Sequence, residues 1–393
     1  MEPDTCIKPT APALEPAPLA AAVMPEAAAA AAPAPASPCA APASTSTSAL
    51  PYRAPWWLPN RHLQTIVPAL LAPLPAPGYR RERWSTPDQD FIELDWLSTP
   101  PVDAAAPLVV LFHGLEGGSA SHYARALLHA SAQRGWHGVV PHFRSCSGPI
   151  NLAPRFYHCG DSAEIDWILR RLRALHPARP LLAAGVSLGG NALLRWLGEQ
   201  EHDAEWVAAA AAASAPLDLQ AGGAALASGF NRIYTRNFLA TLKRKATLKL
   251  AQFPGLFDRH AMLGARNLYQ FDNIVTAPLH GYRDTDDYWR RAAAKAVLHG
   301  ISVPTLVLNA RNDPFVPASS LPHAHEVSAA ITLEQPGAGG HAGFMAGPLP
   351  GRIDWLAERI LDFFAAHLMR NGAAAPPPGE ASHVCSRETA HHG

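Results

Sequence analysis

The chain has 393 residues and sets 32 Lys and Arg against 32 Asp and Glu, so it carries no net charge when its histidines are neutral. That balance supplies no overall field to draw the chain to nucleic acid or to an anionic surface, and the lack of any charge-free apolar run of about eighteen residues speaks against stable membrane insertion. Five scattered cysteines without a Cys-x-x-Cys pair point away from structural zinc and toward a reducing, cytoplasmic compartment.

Residues 1–50 are dominated by Ala, Pro, Ser and Thr, with an unbroken run from Ala27 to Ala32. They hold too few large apolar side chains to build a core and read as a disordered tail. The opening Met1-Glu2-Pro3-Asp4 lacks the basic start of a secretory signal, so no cleaved signal is expected. Residues 51–370 are the expected folded domain, and 371–393 a second disordered tail.

Tyr79 to Leu97 predicts a hairpin, in which Ile92, Leu94 and Trp96 alternate with polar neighbours and Thr86-Pro87-Asp88-Gln89-Asp90 supplies the turn. Strands and helices then alternate. Leu108–Phe112 predicts a buried strand, Ser121–Arg134 a helix and His137–Pro141 a short strand. Asp161 and Ser162 offer N-caps to a helix with Ile165, Ile168, Leu169 and Leu172 on its apolar face. Another apolar strand ends at Val186, and a helical pattern follows at once. Trp206–Ala213, Thr305–Leu308 and Ile331–Leu333 predict further strands, and Trp355–Leu368 a final amphipathic helix.

Continuous apolar strands alternating with helices imply an α/β fold: a mainly parallel sheet covered by helices on both faces, with its chemistry at the carboxyl ends of the strands. The alternation stops between Asp218 and Ser302. Residues from about 219 to 301 therefore predict a helical cap inserted above the sheet, where it shapes a pocket and excludes water.

The most informative stretch is Gly185-Val186-Ser187-Leu188-Gly189, Gly-x-Ser-x-Gly at a strand-to-helix junction. A serine at so sharp a turn takes a strained backbone, and its glycine neighbours are needed where a Cβ would strike the adjoining strand and helix. The helix start beneath it offers the Leu188 N–H to a developing oxyanion. His113-Gly114-Leu115-Glu116-Gly117-Gly118, a glycine-rich loop after the first parallel strand, offers the Leu115 N–H as a second donor, with His113 read as a brace for its own loop. A serine hydroxyl also needs a base and a group to orient that base. Asp313 stands just past a strand end, and His341 lies among glycines in Gly337-Ala338-Gly339-Gly340-His341-Ala342-Gly343. Alone, Asp313 reads as a turn residue before Pro314, and His341 as an exposed loop histidine. Together, in the order Ser187, Asp313, His341, they read as a catalytic triad. His323, His325, His391 and His392 read as loop and tail residues rather than ligands, and no metal or cofactor is expected.

These motifs, together with Asn60-Arg61-His62-Leu63-Gln64-Thr65, Arg144-Ser145-Cys146-Ser147-Gly148, Tyr157-His158 and Phe271-Asp272-Asn273, resemble the YheT-like α/β-hydrolases, the AB hydrolase 4 family. The resemblance runs from about Asn60 to the final helix. It implies the α/β-hydrolase fold, charge-relay roles for Ser187, Asp313 and His341, and hydrolysis of small-molecule carboxylic esters such as short-chain esters or monoacylglycerols. Where the family commonly has Asn-x-Arg-Gly, this chain has His142-Phe143-Arg144-Ser145. An acyltransferase on the same fold is the nearest rival reading, and a non-catalytic binding module a more distant one. Asn60–Thr65 reads as a packed segment, Cys146 as a structural thiol, and Lys243-Arg244-Lys245 as a solvated helical face.

Overall fold

The computed structural model describes residues 52–373 apart from 72–73, 75–76 and 102. Segment 1–50 and residues 374–393, both read above as tails, lie outside the described residues. After helix α1 (Arg61–Leu71), the expected hairpin forms from β1 (Tyr79–Ser85) and β2 (Phe91–Leu97), and at its turn the Thr86 N–H donates to the Asp90 carbonyl at 3.0 Å. Alternation along β2 does not divide buried from exposed residues: all seven are buried, Glu93 and Asp95 included. Charge under cover requires partners. Arg83 reaches Glu93 at 2.7 Å, and Arg81 grips Asp95 with two bonds of 2.7 and 2.8 Å.

The alternating units follow as β3 (Leu108–Phe112), α2 (His122–Gln133), β4 (His137–Pro141), α3 (Ser162–Leu175), β5 (Leu181–Val186), α4 (Leu188–Gln200), β6 (Ala209–Ala213), β7 (Thr305–Leu308) and β8 (Ile331–Glu334). The eight strands lie in the order β1-β2-β4-β3-β5-β6-β7-β8, antiparallel from β1 to β4 and parallel from β4 to β8. Successive strand residues face opposite ways, and both faces of this sheet are covered. Leu108, Val110 and Phe112 pack in one layer with Ile165, Leu169 and Leu193, whereas Val109 and Leu111 pack in the other with Leu127, Leu128 and the C-terminal helix Trp355–Ala373 through Leu356 and Ile360. Hence the unbroken apolar runs of the central strands. At the start of α3, Asp161 occupies the N-cap position but makes no capping bond, and its carboxylate pairs with Arg155 instead.

Between β6 and β7 the chain leaves the sheet for α5 (Leu219–Leu226), α6 (Arg232–Gln252) and shorter elements, among them a π-helical turn at Asp272–Thr276 and the helix Thr285–Ala292. Leu239, Ala246, Met262, Phe271 and Val275 give this insertion an apolar centre of its own. Lys249 of α6 is fully buried and donates to the carbonyls of Asn151 and Ala153 at 2.6 and 2.9 Å, fastening the insertion to the loop that follows β4.

Candidate active site

Ser187 joins β5 to α4 with φ 55° and ψ −122°, a backbone that L-residues rarely hold. A Cβ on Gly185 would fall 2.5 Å from the Gly189 carbonyl oxygen, and one on Gly189 would fall 2.3 Å from that of Phe112. Only glycine lets β3, β5 and α4 approach this closely. The Ser187 N–H donates to Ala213 at 2.9 Å, anchoring the turn to β6. Leu188 opens α4, where no helical carbonyl precedes its N–H and the helix dipole favours negative charge.

The structure brings the other two candidate residues to this serine. His341, in the loop after β8, has Nε2 2.9 Å from Ser187 Oγ and Nδ1 2.8 Å from Asp313 Oδ2, in the loop after β7. A carboxylate accepts only, so the ring proton sits on Nδ1 and Nε2 is free to accept from the serine hydroxyl. Asp313 is itself held by the N–H groups of Phe315 and Val316, which donate to Oδ1 at 2.7 and 3.3 Å. Phe315 covers the imidazole with ring centroids 4.2 Å apart, and the histidine side chain is only 10% exposed.

The glycine-rich loop lies against the same serine. A Cβ on Gly114 would sit 3.1 Å from Ser187 Cβ, and the Gly114 N–H donates to the Tyr123 hydroxyl at 2.8 Å. His113 Nε2 accepts the Phe143 N–H at 3.0 Å, so its proton is on Nδ1 and is donated to the Gly114 carbonyl at 2.8 Å. Burial, assisted by His142, drives its pKa down to about 3 and keeps this brace neutral. His142-Phe143-Arg144-Ser145, which departs from the family pattern, supports the loop: Phe143 holds His113, and buried Arg144 is bound by Asp88, Asp90 and Glu164. The Leu115 N–H has no acceptor among the described residues.

Ser187, His341, Leu115 and Leu188 line one cavity of about 130 Å³, otherwise walled mainly by apolar side chains such as Leu219, Leu226, Phe238, Leu242 and Trp289. Three charged side chains also reach it: Glu116, Lys245 and Asp272. Asp272 accepts from Trp289 Nε1 at 2.9 Å and Thr276 Oγ1 at 2.6 Å, and burial pushes its carboxyl up to about 6. Burial likewise pushes the Cys146 and Cys159 thiols up to about 12, which suppresses the thiolate that a nucleophile needs.

Reading Lys243-Arg244-Lys245 as a solvated face requires correction. Arg244 alone is exposed. Lys243 caps the carbonyls of Leu263 and Ala265, and Lys245 turns into the cavity to donate to Glu116 Oε1 at 2.7 Å. Lys245 shares its helix face with Leu242 and buried Lys249, so the packed side of α6 carries it inward. Of Asn60–Thr65 only Gln64 and Thr65 are buried, and what they pack on is the His341 loop, while Asn60, Arg61 and Leu63 are exposed. Gln64 Oε1 accepts from Gly339 N–H and from Asn312 Nδ2, both at 2.9 Å. No local signal marks these residues, because their partners stand some 250 positions or more away in the chain.

Among the described residues no cluster of His, Cys, Asp and Glu is arranged to hold a metal ion, and no helix is long and apolar enough to cross a membrane. The alpha/beta hydrolase fold family matches residues 107–348. The relative named "Putative esterase YheT", of Escherichia coli (strain K12), is 38% identical over 311 residues, covering 79% of this chain and 91% of its own. Phospholipase ABHD3 of Mus musculus is 30% identical over 323 residues, or 80% of this chain and 78% of its own. Monoacylglycerol lipase of Saccharomyces cerevisiae is 29% identical over 276 residues, or 66% and 59%. With its mainly parallel sheet, helical layers and inserted helices, the chain belongs to the α/β-hydrolase fold family, in its YheT-like branch.

Proposed function

We propose that the protein is a serine esterase that hydrolyses carboxylic esters with an apolar acyl chain, of the short-chain or monoacylglycerol type, through an acyl-enzyme. The observation that carries this reading is the continuous hydrogen-bonded line from Ser187 through His341 to Asp313 at the wall of an apolar cavity. His341 Nε2 takes the serine proton as Oγ attacks the ester carbonyl, while Asp313 holds the tautomer and stabilises the imidazolium. The carbonyl oxygen becomes an oxyanion bound by the N–H groups of Leu115 and Leu188. The C–O bond to the alcohol then breaks, and the alcohol leaves with the proton from His341. Water next attacks the acyl-enzyme, again giving its proton to His341, and the acid departs as that proton returns to Ser187. Relatives named as a phospholipase and a monoacylglycerol lipase support an ester of lipid character. The free thiols of Cys146 and Cys159 accord with a reducing, cytoplasmic setting.

The test is covalent labelling by a fluorophosphonate, together with turnover of a p-nitrophenyl ester series. Labelling at Ser187 in the wild type and its loss in Ser187→Ala are expected, with free acid as the main product when a small alcohol competes at millimolar concentration. A protein that takes no label and cleaves no ester would overturn the nucleophile. Transferred ester dominating the products would replace hydrolysis by acyl transfer while keeping Ser187.

A further inference from the structure

We infer that Lys245 is a positioning residue for the oxyanion loop: its ammonium, carried by the inserted helix α6, neutralises the Glu116 carboxylate beside the reacting carbonyl and so lets the Leu115 N–H receive negative charge. The inference rests on the esterase reading above.

Glu116 follows Leu115 directly and has φ 56°, a left-handed backbone unfavourable for a residue with a Cβ. Such a conformation persists only where its surroundings over-determine it. Here the determinants are mutual. The Glu116 N–H donates to the Tyr157 hydroxyl at 2.9 Å, that hydroxyl donates back to Glu116 Oε1 at 2.8 Å, and Lys245 Nζ donates to the same oxygen at 2.7 Å. The ring so formed holds residue 116 and the Leu115–Glu116 peptide, which adjoins the Gly114–Leu115 peptide that bears the Leu115 N–H; the far side of that peptide is held by the His113 ring on the Gly114 carbonyl.

Charge gives the arrangement a second role. The Glu116 and Lys245 side chains are only 8% and 14% exposed, and both line the cavity that holds Ser187. A carboxylate in so dry a place opposes a second negative charge forming nearby, and the opposition is strong because little water screens it. Paired with an ammonium, it presents almost no net charge to the oxyanion. Glu116 belongs to the loop after β3 and Lys245 to the insertion, 129 residues apart, so the compensating charge arrives only when the cap lies over the loop.

The test compares Lys245→Met, Lys245→Arg and the double variant Glu116→Gln/Lys245→Met in the full chain. The readouts are ester kinetics, the rate of fluorophosphonate labelling, and thermal unfolding as a check that each variant folds. Lys245→Met is expected to lower kcat and the labelling rate by about 10–100-fold, less than the roughly 10²–10³ lost when an oxyanion donor is removed outright, because the Leu115 N–H itself stays, with KM changed less than about threefold. Lys245→Arg should retain most of the activity. The double variant should regain at least about tenfold over Lys245→Met, because glutamine still accepts from Tyr157 but brings no charge to the oxyanion. A double variant as slow as Lys245→Met, or a rise in KM at constant kcat, would overturn the inference and leave Lys245 as a packing or substrate-binding residue. A wild type that neither labels nor hydrolyses esters would instead remove the esterase reading, and this inference with it.

Discussion

The Thr65 hydroxyl accepts the backbone N–H of His341 at 3.0 Å while donating to the Arg61 carbonyl, one turn earlier in α1, at 2.8 Å. Beside it, Gln64 Oε1 holds the Gly339 N–H, and a Cβ on Gly343 would lie 1.9 Å from the Gln64 carbonyl oxygen. The first helix of the described chain is thus the template against which the histidine loop is set, and the loop passes it through Gly339 and Gly340 at φ 149° and 64°. An imidazole must be placed to within a fraction of an ångström to serve the serine.

Thr65→Val keeps the shape but leaves the His341 N–H without its acceptor. The expected cost is about 1–3 kcal/mol of stability, read as a lower thermal midpoint, and a fall of about tenfold in kcat from misplacement of the ring. An unchanged kcat in a destabilised variant would reduce Thr65 to a packing role.

Ser187→Ala, His341→Ala and Asp313→Asn should each fold and each lose about 10⁴-fold or more in kcat/KM. The losses should not add: Ser187→Ala/His341→Ala should be no slower than the worse single variant, because the side chains act as one hydrogen-bonded unit. Additive losses by steady-state kinetics would show that the residues act independently.

Gly223 of α5 touches the wall of the cavity, and a Cβ there would fall 2.1 Å from Trp289 Cη2. Gly223→Ala raises helix propensity by about 1 kcal/mol but drives a Cβ into a buried indole that is tied to Asp272, and overpacking of this kind costs about 1–3 kcal/mol, so a net loss of up to about 2 kcal/mol is expected. The ester-length profile should shift toward shorter acyl chains as Trp289 narrows the pocket. An unaltered profile would mean that the acyl chain binds away from Trp289.

Asp272 links pH to stability with a definite sign. Its carboxyl titrates at about 6 when folded against an ordinary 3.8. Between those values the folded chain keeps a proton that the unfolded chain has lost, so the group's contribution falls as pH rises from about 4 to about 6 and is flat on either side. The change is worth up to about 3 kcal/mol, reduced by whatever solvent reaches the cavity. Asp272→Asn should abolish it, leaving the variant more stable than wild type at pH 8 but not at pH 4. Urea unfolding of both proteins at the two pH values checks this, since their difference removes the chain's other titrations.

What was legible in the sequence was whatever is written contiguously. The β5–Ser187–α4 junction could be read because strand, glycine spacing and helix follow one another, and Asp313 and His341 could be nominated because each comes just after a strand. In a parallel sheet the carboxyl ends of all strands share one edge, so chain order alone carried those residues toward Ser187. The tertiary structure decided the pairings. Glu93 and Asp95 alternate along β2 like outward-facing residues, yet the opposing arginines allow them to be buried. Lys245 stands in a basic run that reads as solvated until Glu116 appears across 129 residues, and Thr65 carries no mark of the His341 loop 276 positions away. A polar side chain has the same local appearance whether it meets water or a buried partner, and only the packing of distant segments settles which environment it enters.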